Sequence, residues 1–539
     1  YNPKYPGKPE FKSQLTSEVH STGHLLENQK GFSFNMEPPY ASFKTLRAMF
    51  NAGVGNIARH VTNTRHRSWI TPDYIWDGVL KYSYPTKPRF NDSTYRTALD
   101  SLRSEFNVSD KIPMYDATFA SRKIPQSTSP GLPYLHMQIN KKSEALQLHG
   151  DEIRSYWDKV SRNAKTESLP DCAAFARSHI CGVGENKVRP VWAYPLMAIY
   201  GEAPFALPII KELTSQRIGH HTAYGMEMMK GGMQWLHSQT LELNHLHPQS
   251  QYVMTDYSSF DSSVPAWLIN DCFKILREKI DFSKIIDEDG NIRYENPKYA
   301  LRRFKKLESY FIHTTIRNPD GRRFRKDHGV PSGSMFTNII DTMVNLVVTR
   351  TMCATLQRSQ PVFDIYFGDD AIFAFPSNAI INIHDMTSFA EDIFGMHINS
   401  KKSYYTTNLR NIHFLGYFNY IGTPVKSSVD LFASMIFPQY LKDDWEYCIA
   451  RSLGCLLASA GNNSDVFQAA RGIYNQAKLS SGAIERGITL ALENSRMQRH
   501  FETMGCGDLN LGYHYFEDYM LSQPRMNCTK MMKNISLVG

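Results

Sequence analysis

Cysteine is sparse in this 539-residue chain: eight residues, scattered, with no Cys-x-x-Cys spacing. That pattern excludes a disulfide framework and a zinc finger, and it fits a reducing compartment. No uninterrupted apolar run reaches the roughly 18 residues that a bilayer-spanning helix needs. No basic-then-apolar secretory start is present, and the chain opens on Tyr1 rather than Met, as expected if an initiator or short leader has been removed. Internal repeats and low-complexity tracts are also missing, which excludes solenoids and biased tails. His245-Leu246-His247 near His237 lacks a Cys partner, so satisfied or solvated histidines are a better reading than a metal cluster.

What is present is enough apolar residue, 42%, to bury a sizeable core, in a length that calls for several subdomains. A net charge of +8 suits a polyanionic partner. That charge is uneven. Arg302, Arg303, Lys305, Lys306, Arg317, Arg322, Arg323, Arg325 and Lys326 crowd one segment, and Asn318-Pro319-Asp320-Gly321 within it is a strong hairpin turn. We read this as a basic β-ribbon that contacts phosphates without regard to sequence.

The most informative stretch is Ile365-Tyr366-Phe367-Gly368-Asp369-Asp370-Ala371-Ile372-Phe373. Two apolar runs flank Gly-Asp-Asp, a hairpin with adjacent carboxylates at its tip. Two unit charges about 4 Å apart repel by roughly 4 kcal/mol at an effective dielectric near 20. A bound cation removes that penalty; a merely solvated acidic turn is the bland alternative. Upstream, Gln251 to Thr255 reads as a short strand ending at Asp256, with turn and helix-start residues from Ser258 to Ser263 and Asp261 on the next turn. A carboxylate at a strand end beside the hairpin makes a cage of hard oxygen ligands, suited to magnesium or manganese rather than zinc. Alone, Asp256 reads as a helix cap and Asp261 as a solvated first-turn acid.

Between these acidic elements, Gly329-Val330-Pro331-Ser332-Gly333-Ser334 is a turn, and Met335 to about Leu356 follows helical spacing. Thr337, Asp341 and Asn345 recur every four residues as a polar stripe on that apolar helix. We read the stripe as facing a ligand, against the alternative that it faces water.

In this order and spacing, Asp256-x4-Asp261, Ser332-Gly333-x3-Thr337 and Gly368-Asp369-Asp370 resemble the palm of a viral RNA-dependent RNA polymerase. The wording of the motifs is most similar to the polymerases of partitiviruses, double-stranded RNA viruses, with picobirnaviruses as near neighbours. The match extends over roughly residues 120 to 425. The resemblance implies that Asp256 and Asp369 hold two magnesium ions (manganese may substitute), with Asp370 assisting. It implies that Asp261, Ser332, Gly333 and Thr337 line the ribose pocket, since a site built to bond a hydroxyl rejects a ligand lacking it. Picornavirus-type relatives carry Asn where this chain has Asp341, so the pocket uses a protonated Asp341, uses Asn345, or is wired differently.

By the same resemblance, Lys187 and Arg189 match the motif that receives the triphosphate of the incoming NTP, joined by Arg177. Thr128-Ser129-Pro130-Gly131-Leu132-Pro133-Tyr134 resembles a template-guiding loop, and Phe414 to Phe418 the hairpin that grips the primer strand. Lys401 or Lys402, after an expected helix from Ile381 to Phe394, matches the general acid for departing pyrophosphate.

The expected fold class is α+β: a right hand with fingers, a palm with an antiparallel sheet, and a helical thumb, closed by an N-terminal extension. Residues 1–110 form the extension bridging fingers and thumb, 111–200 the fingers, 201–290 the first part of the palm, 291–330 a fingers insertion, 331–425 the second part of the palm, and 426–539 the thumb and C-terminal extension. Thumb helices are expected over Trp445 to Ala460, Val466 to Ala477 and Ala483 to Met497. The last stretch, with Gly505, Gly507 and Gly512, reads as loop-rich and as reaching toward the catalytic cavity. Implied partners are template and product RNA, NTPs and a viral capsid protein, with no membrane, in a virion interior and the host cytoplasm. A reverse transcriptase is disfavoured by Asp261 and by Ser332-Gly333. A non-enzymatic RNA-binding or capsid-associated protein leaves the carboxylates unexplained, whereas a catalytically retired polymerase would carry the same motifs.

Overall fold

One helix, Thr337–Leu356, is the axis of the molecule. Its twenty residues contain neither Gly nor Pro, and apolar side chains occur all round it rather than on one stripe. Such a helix has to be covered on every side. The structure, a computed structural model, describes residues 23–35, 39–440, 442–494 and 509–517. Among these, this helix alone is long and apolar enough to cross a bilayer, yet 83% of its apolar window is buried inside the protein.

Against the helix lies a four-stranded antiparallel sheet in the order Phe363–Phe367, Asp370–Phe375, Gln251–Thr255, Tyr404–Thr406. Alternation along the strands sends Tyr366, Phe373 and Phe375 into the main core with the helix. Ile365, Ile372, Ala374, Tyr252 and Met254 enter a second core on the other face, with Met233, Trp235 and Leu236. Burial on both faces explains why these strands read as continuous apolar runs. The palm sheet of the expected right hand is thus present, with the hairpin and the strand before Asp256 side by side.

A five-stranded sheet forms a second body, ordered Gly23–Leu26, Arg323–Lys326, Thr315–Arg317, Cys172–Ser178, Val188–Ala193. Asn318 to Gly321 closes its hairpin, with Gly321 at φ +93° and its N–H donated to the Asn318 carbonyl. A Cβ on Gly321 would come within 2.2 Å of the Gln29 carbonyl oxygen. The N-terminal segment therefore lies directly on this turn, with Gln29 N–H on the Gly321 carbonyl and Phe32 N–H on that of Pro319.

The basic segment behaves differently from its sequence reading. Arg317 and Arg323 both pair with the buried Asp171, Arg303 pairs with Glu295, and Arg322 with Asp73 and Asp320. Lys326 is fully buried, donating to the carbonyls of Phe311, Ile312 and Gly329. Much of this charge holds the fingers together rather than facing RNA. The physical reason is that a charge run reports its surroundings only once its acidic partners, distant in sequence, are known.

The third body is helical. Ser428–Ile436, Trp445–Ala458, Ser464–Ala477 and Ala483–Glu493 share one core with two N-terminal helices, Phe43–Asn51 and Gly55–Thr64. The chain then crosses to the fingers, where Arg65–Arg67 pairs with Ile180–Gly182. Arg67 bonds both bodies at once: its Nε and Nη2 donate to the Phe437 carbonyl and its Nη1 to that of Ser178. Residues 43–67 thus contact both bodies. Of the final glycines, Gly505 and Gly507 lie outside the described residues, and the helix expected to reach Met497 ends at Glu493. Gly512 falls in a helix, Leu509–Glu517, rather than a loop.

Phe304 sits at the centre of an aromatic cluster, 5.1 Å from Phe205, 5.6 Å from Phe282, 5.8 Å from Phe336 and 6.0 Å from Phe273. Phe304→Ala is expected to cost about 3–5 kcal/mol through lost transfer energy and the cavity left behind. The shift of the urea or guanidinium unfolding midpoint measures it.

Candidate active site

Three carboxylates meet where the strand Gln251–Thr255 and the hairpin end together. Register pairs Ala371 with Thr255, so Asp256 emerges beside Asp370 and the turn. The Asp256 backbone is held at both ends: its N–H donates to Ser403 Oγ (2.9 Å), and its carbonyl accepts from Asn399 N–H (2.7 Å). The turn is held from the long helix. Gly368, at φ +59°, donates its N–H to Thr342 Oγ1 (2.8 Å), and Asn345 Nδ2 donates to the carbonyls of Gly368 (3.0 Å) and Asp370 (3.2 Å).

These acids disturb one another. Burial pushes the Asp370 carboxyl up to about 6, and Asp369 and Asp256 add to the push, while the Leu415 N–H pulls it back. Asp369 is also raised, by burial and by Asp256, against the pull of its own N–H and of Arg189. Among the described residues, no three His, Cys, Asp or Glu side chains are drawn into a single coordination sphere. The donor set nevertheless fits hard divalent cations: oxygen ligands only, adjacent, and carrying mutual repulsion that a cation would relieve.

Asp261 and Asp341 form a second acidic pair. Asp341 is buried on the long helix, with Oδ1 lacking a hydrogen-bond partner. Burial raises both carboxyls, and Asp341 furthest, because Asp261 and Asp369 add their charge and its contact with Asp261 raises it further. The Asp261 carbonyl accepts from Val330 N–H at 2.7 Å, which ties this acid to the Gly329–Ser334 turn. Gly333 in that turn has φ +94°, and a Cβ there would come within 2.6 Å of the Trp192 carbonyl oxygen. Ser332 is half-buried beside it. Thr337 donates its hydroxyl to the Pro331 carbonyl at 2.5 Å. The polar stripe of the helix thus turns mainly inward. Thr337 caps the turn, Asp341 meets Asp261, and Asn345, fully buried, clamps the hairpin.

Opposite the acids stands a basic cluster. Strands Cys172–Ser178 and Val188–Ala193 pair with Arg177 directly across from Arg189, and Lys187 lies two residues before Arg189 on the same side. Like charges directly opposite destabilise a sheet unless an anion lies between them. All three are exposed. Burial lowers the Lys187 pKa, as do Arg189 and Lys402, while Asp256 and Glu185 oppose the shift. His179 is pulled down to about 4 by burial and by Arg189, Lys187, Arg67 and Arg177. Of the two candidate lysines, Lys402 is therefore the one whose charge reaches the cluster, whereas the Lys401 backbone N–H is bonded to Asn399 Oδ1. His237, by contrast, is an ordinary satisfied histidine, its Nδ1 bonded to Asn419 Nδ2.

Sequence reasoning missed Glu202. This acid is wholly buried, in the otherwise apolar first three turns of the helix Leu196–Thr214; a lone acid there was the available signal. It accepts from Ser334 Oγ (2.5 Å) and Met335 N–H (3.1 Å), fixing the turn at the head of the long helix. It also missed Thr342, a short hydroxyl on a helix whose partner lies 26 residues away.

A right-hand arrangement with paired acids on a palm hairpin is the fold of a template-copying polymerase. The chain belongs to the viral RNA-dependent RNA polymerase family, whose model matches residues 55–418. It is 27% identical over 363 residues to the RNA-directed RNA polymerase of Cryptosporidium parvum virus 1, covering 65% of this chain and 63% of that protein. It is 29% identical to that of Atkinsonella hypoxylon virus (54% and 48% covered) and 24% identical to that of White clover cryptic virus 1 (58% and 52%). The match thus spans less than two thirds of the length of each of these relatives. The crystal structure of the RNA-dependent RNA polymerase of a human picobirnavirus superposes with a TM-score of 0.60 at 14% identity, covering 89% of this chain and 90% of that one. Its insertion-loop deletion mutant gives 0.59 at 13%, covering 90% and 94%.

Burial pushes the Glu202 carboxyl up to about 8, against the pull of Ser334 and Met335. A carboxyl raised on folding contributes stability below its unfolded value, near 4.5, which is lost as pH rises through the folded value. Stability is therefore expected to fall between those two values, and Glu202→Gln to flatten that slope; denaturant midpoints across this range test it.

Proposed function

We propose that this chain copies RNA from an RNA template by two-metal nucleotidyl transfer, replicating and transcribing a double-stranded RNA genome. The observation that carries the reading is the opposition of two unneutralised clusters: Asp256, Asp369 and Asp370 against Arg177, Lys187, Arg189 and Lys402. An NTP with divalent cations has the complementary charge for both. Asp256 and Asp369 would hold two magnesium ions, with Asp370 assisting and manganese as a substitute. When bound, the ions lower the pKa of the primer 3′-hydroxyl and balance charge on the phosphoryl group being transferred.

The chain's own groups do the rest. Arg189 and Lys187 grip the triphosphate, Arg189 as a planar fork and Lys187 as a point charge, with Arg177 extending the track. Asp261, Ser332, Gly333 and Thr337 border the ribose. Asp341, kept neutral by its shared proton, holds Asp261 as an acceptor for the 2′-hydroxyl, the group by which NTP is told from dNTP. Lys401 or Lys402 gives a proton to departing pyrophosphate, and electrostatic proximity to Lys187 favours Lys402. A cavity of about 740 Å³ between Ser33–Asn35, Pro39 and Tyr40, Thr128–Ser129, the fingers sheet and Pro438–Tyr440 opens beside Gly333, and suits the template strand.

In this reading residues 1–110 bridge fingers and thumb, 111–200 and 291–330 are fingers, 201–290 and 331–425 palm, and 426–539 thumb with C-terminal extension. The working place is a virion interior in the host cytoplasm, with capsid protein as partner.

Purified chain given a single-stranded RNA template, NTPs and magnesium is expected to make template-length product, and Asp369→Ala with Asp370→Ala none. Equal synthesis by both would sink the site assignment; silence from a folded, RNA-binding wild type would indicate a polymerase gated by capsid protein or a retired enzyme. Arg189→Ala is expected to raise the KM for NTP by about ten-fold or more, the loss of a charge-assisted phosphate contact. Steady-state incorporation at fixed salt measures it.

A further inference from the structure

The base of the catalytic hairpin carries a buried cluster of four charges that the proposed chemistry does not use. Asp364 lies five residues before Asp369 in an apolar strand and is 5% exposed. Arg350, from the long helix, donates from Nε to Asp364 Oδ2 (2.8 Å) and from Nη2 to Asp364 Oδ1 (3.2 Å). Its Nη2 also reaches Glu105 Oε1 (3.4 Å), and its Nη1 donates to Ser101 Oγ (3.0 Å). On the other side stands His221, with Nδ1 at 2.7 Å from Asp364 Oδ1 and Nε2 at 3.6 Å from Glu105 Oε1. Tyr366 donates its hydroxyl to Asp364 Oδ2 (2.8 Å).

The geometry points to a charged His221. Both ring nitrogens face carboxylate oxygens, and a neutral imidazole has only one N–H, which would leave a lone pair against a carboxylate. The charge count agrees. Two carboxylates against Arg350 alone leave a buried excess of negative charge, whereas an imidazolium brings the cluster to neutrality. Asp364 and Glu105 raise the His221 pKa to about 9, against the opposing effects of burial and Arg350. The other ionisable groups packed around the cluster are Tyr366, Cys353 on the long helix and the neighbouring His220.

The backbone connects this cluster to the hairpin. Tyr366 N–H donates to the His221 carbonyl (2.9 Å), Ala223 N–H donates to the Tyr366 carbonyl (2.9 Å), and His221 N–H donates to Glu105 Oε2 (3.2 Å). The strand that leads into Gly368-Asp369 is thus tied to the long helix and to the His221–Ala223 segment, and through Arg350 and His221 to Glu105.

We propose that His221, as its imidazolium, with Arg350, Glu105 and Asp364, forms a charge-neutral clamp that positions the catalytic hairpin. This rests on the polymerase reading only for its kinetic consequence; the clamp itself has a readout that needs no activity. These are positioning residues, since none touches substrate or the reacting atoms.

The test is His221→Asn, which keeps a donor near the Nδ1 position and removes the charge. In the folded variant at neutral pH, amide hydrogen exchange over residues 363–375 is expected to quicken by about ten-fold or more, with the thumb helix Trp445–Ala458 unchanged. The kcat for NTP incorporation is expected to fall about ten-fold or more with KM within about two-fold, because the carboxylates lose position rather than affinity. Wild-type kcat is expected to decline above about pH 9 as His221 loses its proton, and the variant to lack that limb. Wild-type exchange and kcat in the folded variant would overturn the clamp. A wild type that makes no RNA would instead count against the polymerase reading, and hairpin exchange would still decide the clamp. Should His221→Asn not fold, wild-type hairpin protection falling between about pH 7 and about pH 9.5 supports the clamp, and pH-independent protection overturns it.

Discussion

Everything in the candidate site depends on one helix gripping one hairpin. Thr337–Leu356 supplies Thr342 and Asn345 to the Gly368-Asp369-Asp370 turn, and a turn further along it supplies Arg350 to the hairpin's base. Such polar groups are costly in an apolar core unless each finds its partner, so their satisfaction fixes where the hairpin sits. The same helix carries Asp341 to Asp261 and begins at the turn that Glu202 holds. A rigid rod with polar groups at set heights thereby places the hairpin tip, the Asp261 loop and the Ser332-Gly333 turn relative to one another.

The site itself is a pair of unfavourable charge distributions set face to face. Adjacent acids raise one another's pKa, and Arg177 stands across from Arg189, with no salt bridge to either among the described residues. Each cluster alone destabilises the fold. Evenly distributed ion pairs would have been the cheaper arrangement, and the fingers show that the chain makes them readily: Asp171 neutralises Arg317 and Arg323. The contrast separates charge that holds structure from charge kept available for a ligand.

Asp341 shows how burial can change a residue's chemistry. In water an Asp only accepts hydrogen bonds at neutral pH, and it is a poor replacement for an Asn. Sealed in the core against a second carboxylate, its carboxyl is pushed well above the usual range, toward the protonated form whose O–H can donate as an Asn N–H does.

The sequence by itself determined the local geometry: the strand before Asp256, the hairpin around Gly368, the helix after Gly333 and the turn at Asn318 to Gly321. Each follows from periodicity or turn chemistry carried by residues a few positions apart. The order of the acidic motifs was likewise enough to suggest a palm. The state and partner of each charge were decided only by the tertiary structure. It showed which basic residues are spent on Asp171 and that Asn345 is bonded to the turn. Lys326 looked like a surface charge and is wholly buried, while Glu202 drew no notice and fixes a turn 132 residues away. A charge acquires its role from its dielectric surroundings and its nearest opposite charge, and for Arg317 and Arg323 that charge, Asp171, comes from a segment more than a hundred residues distant.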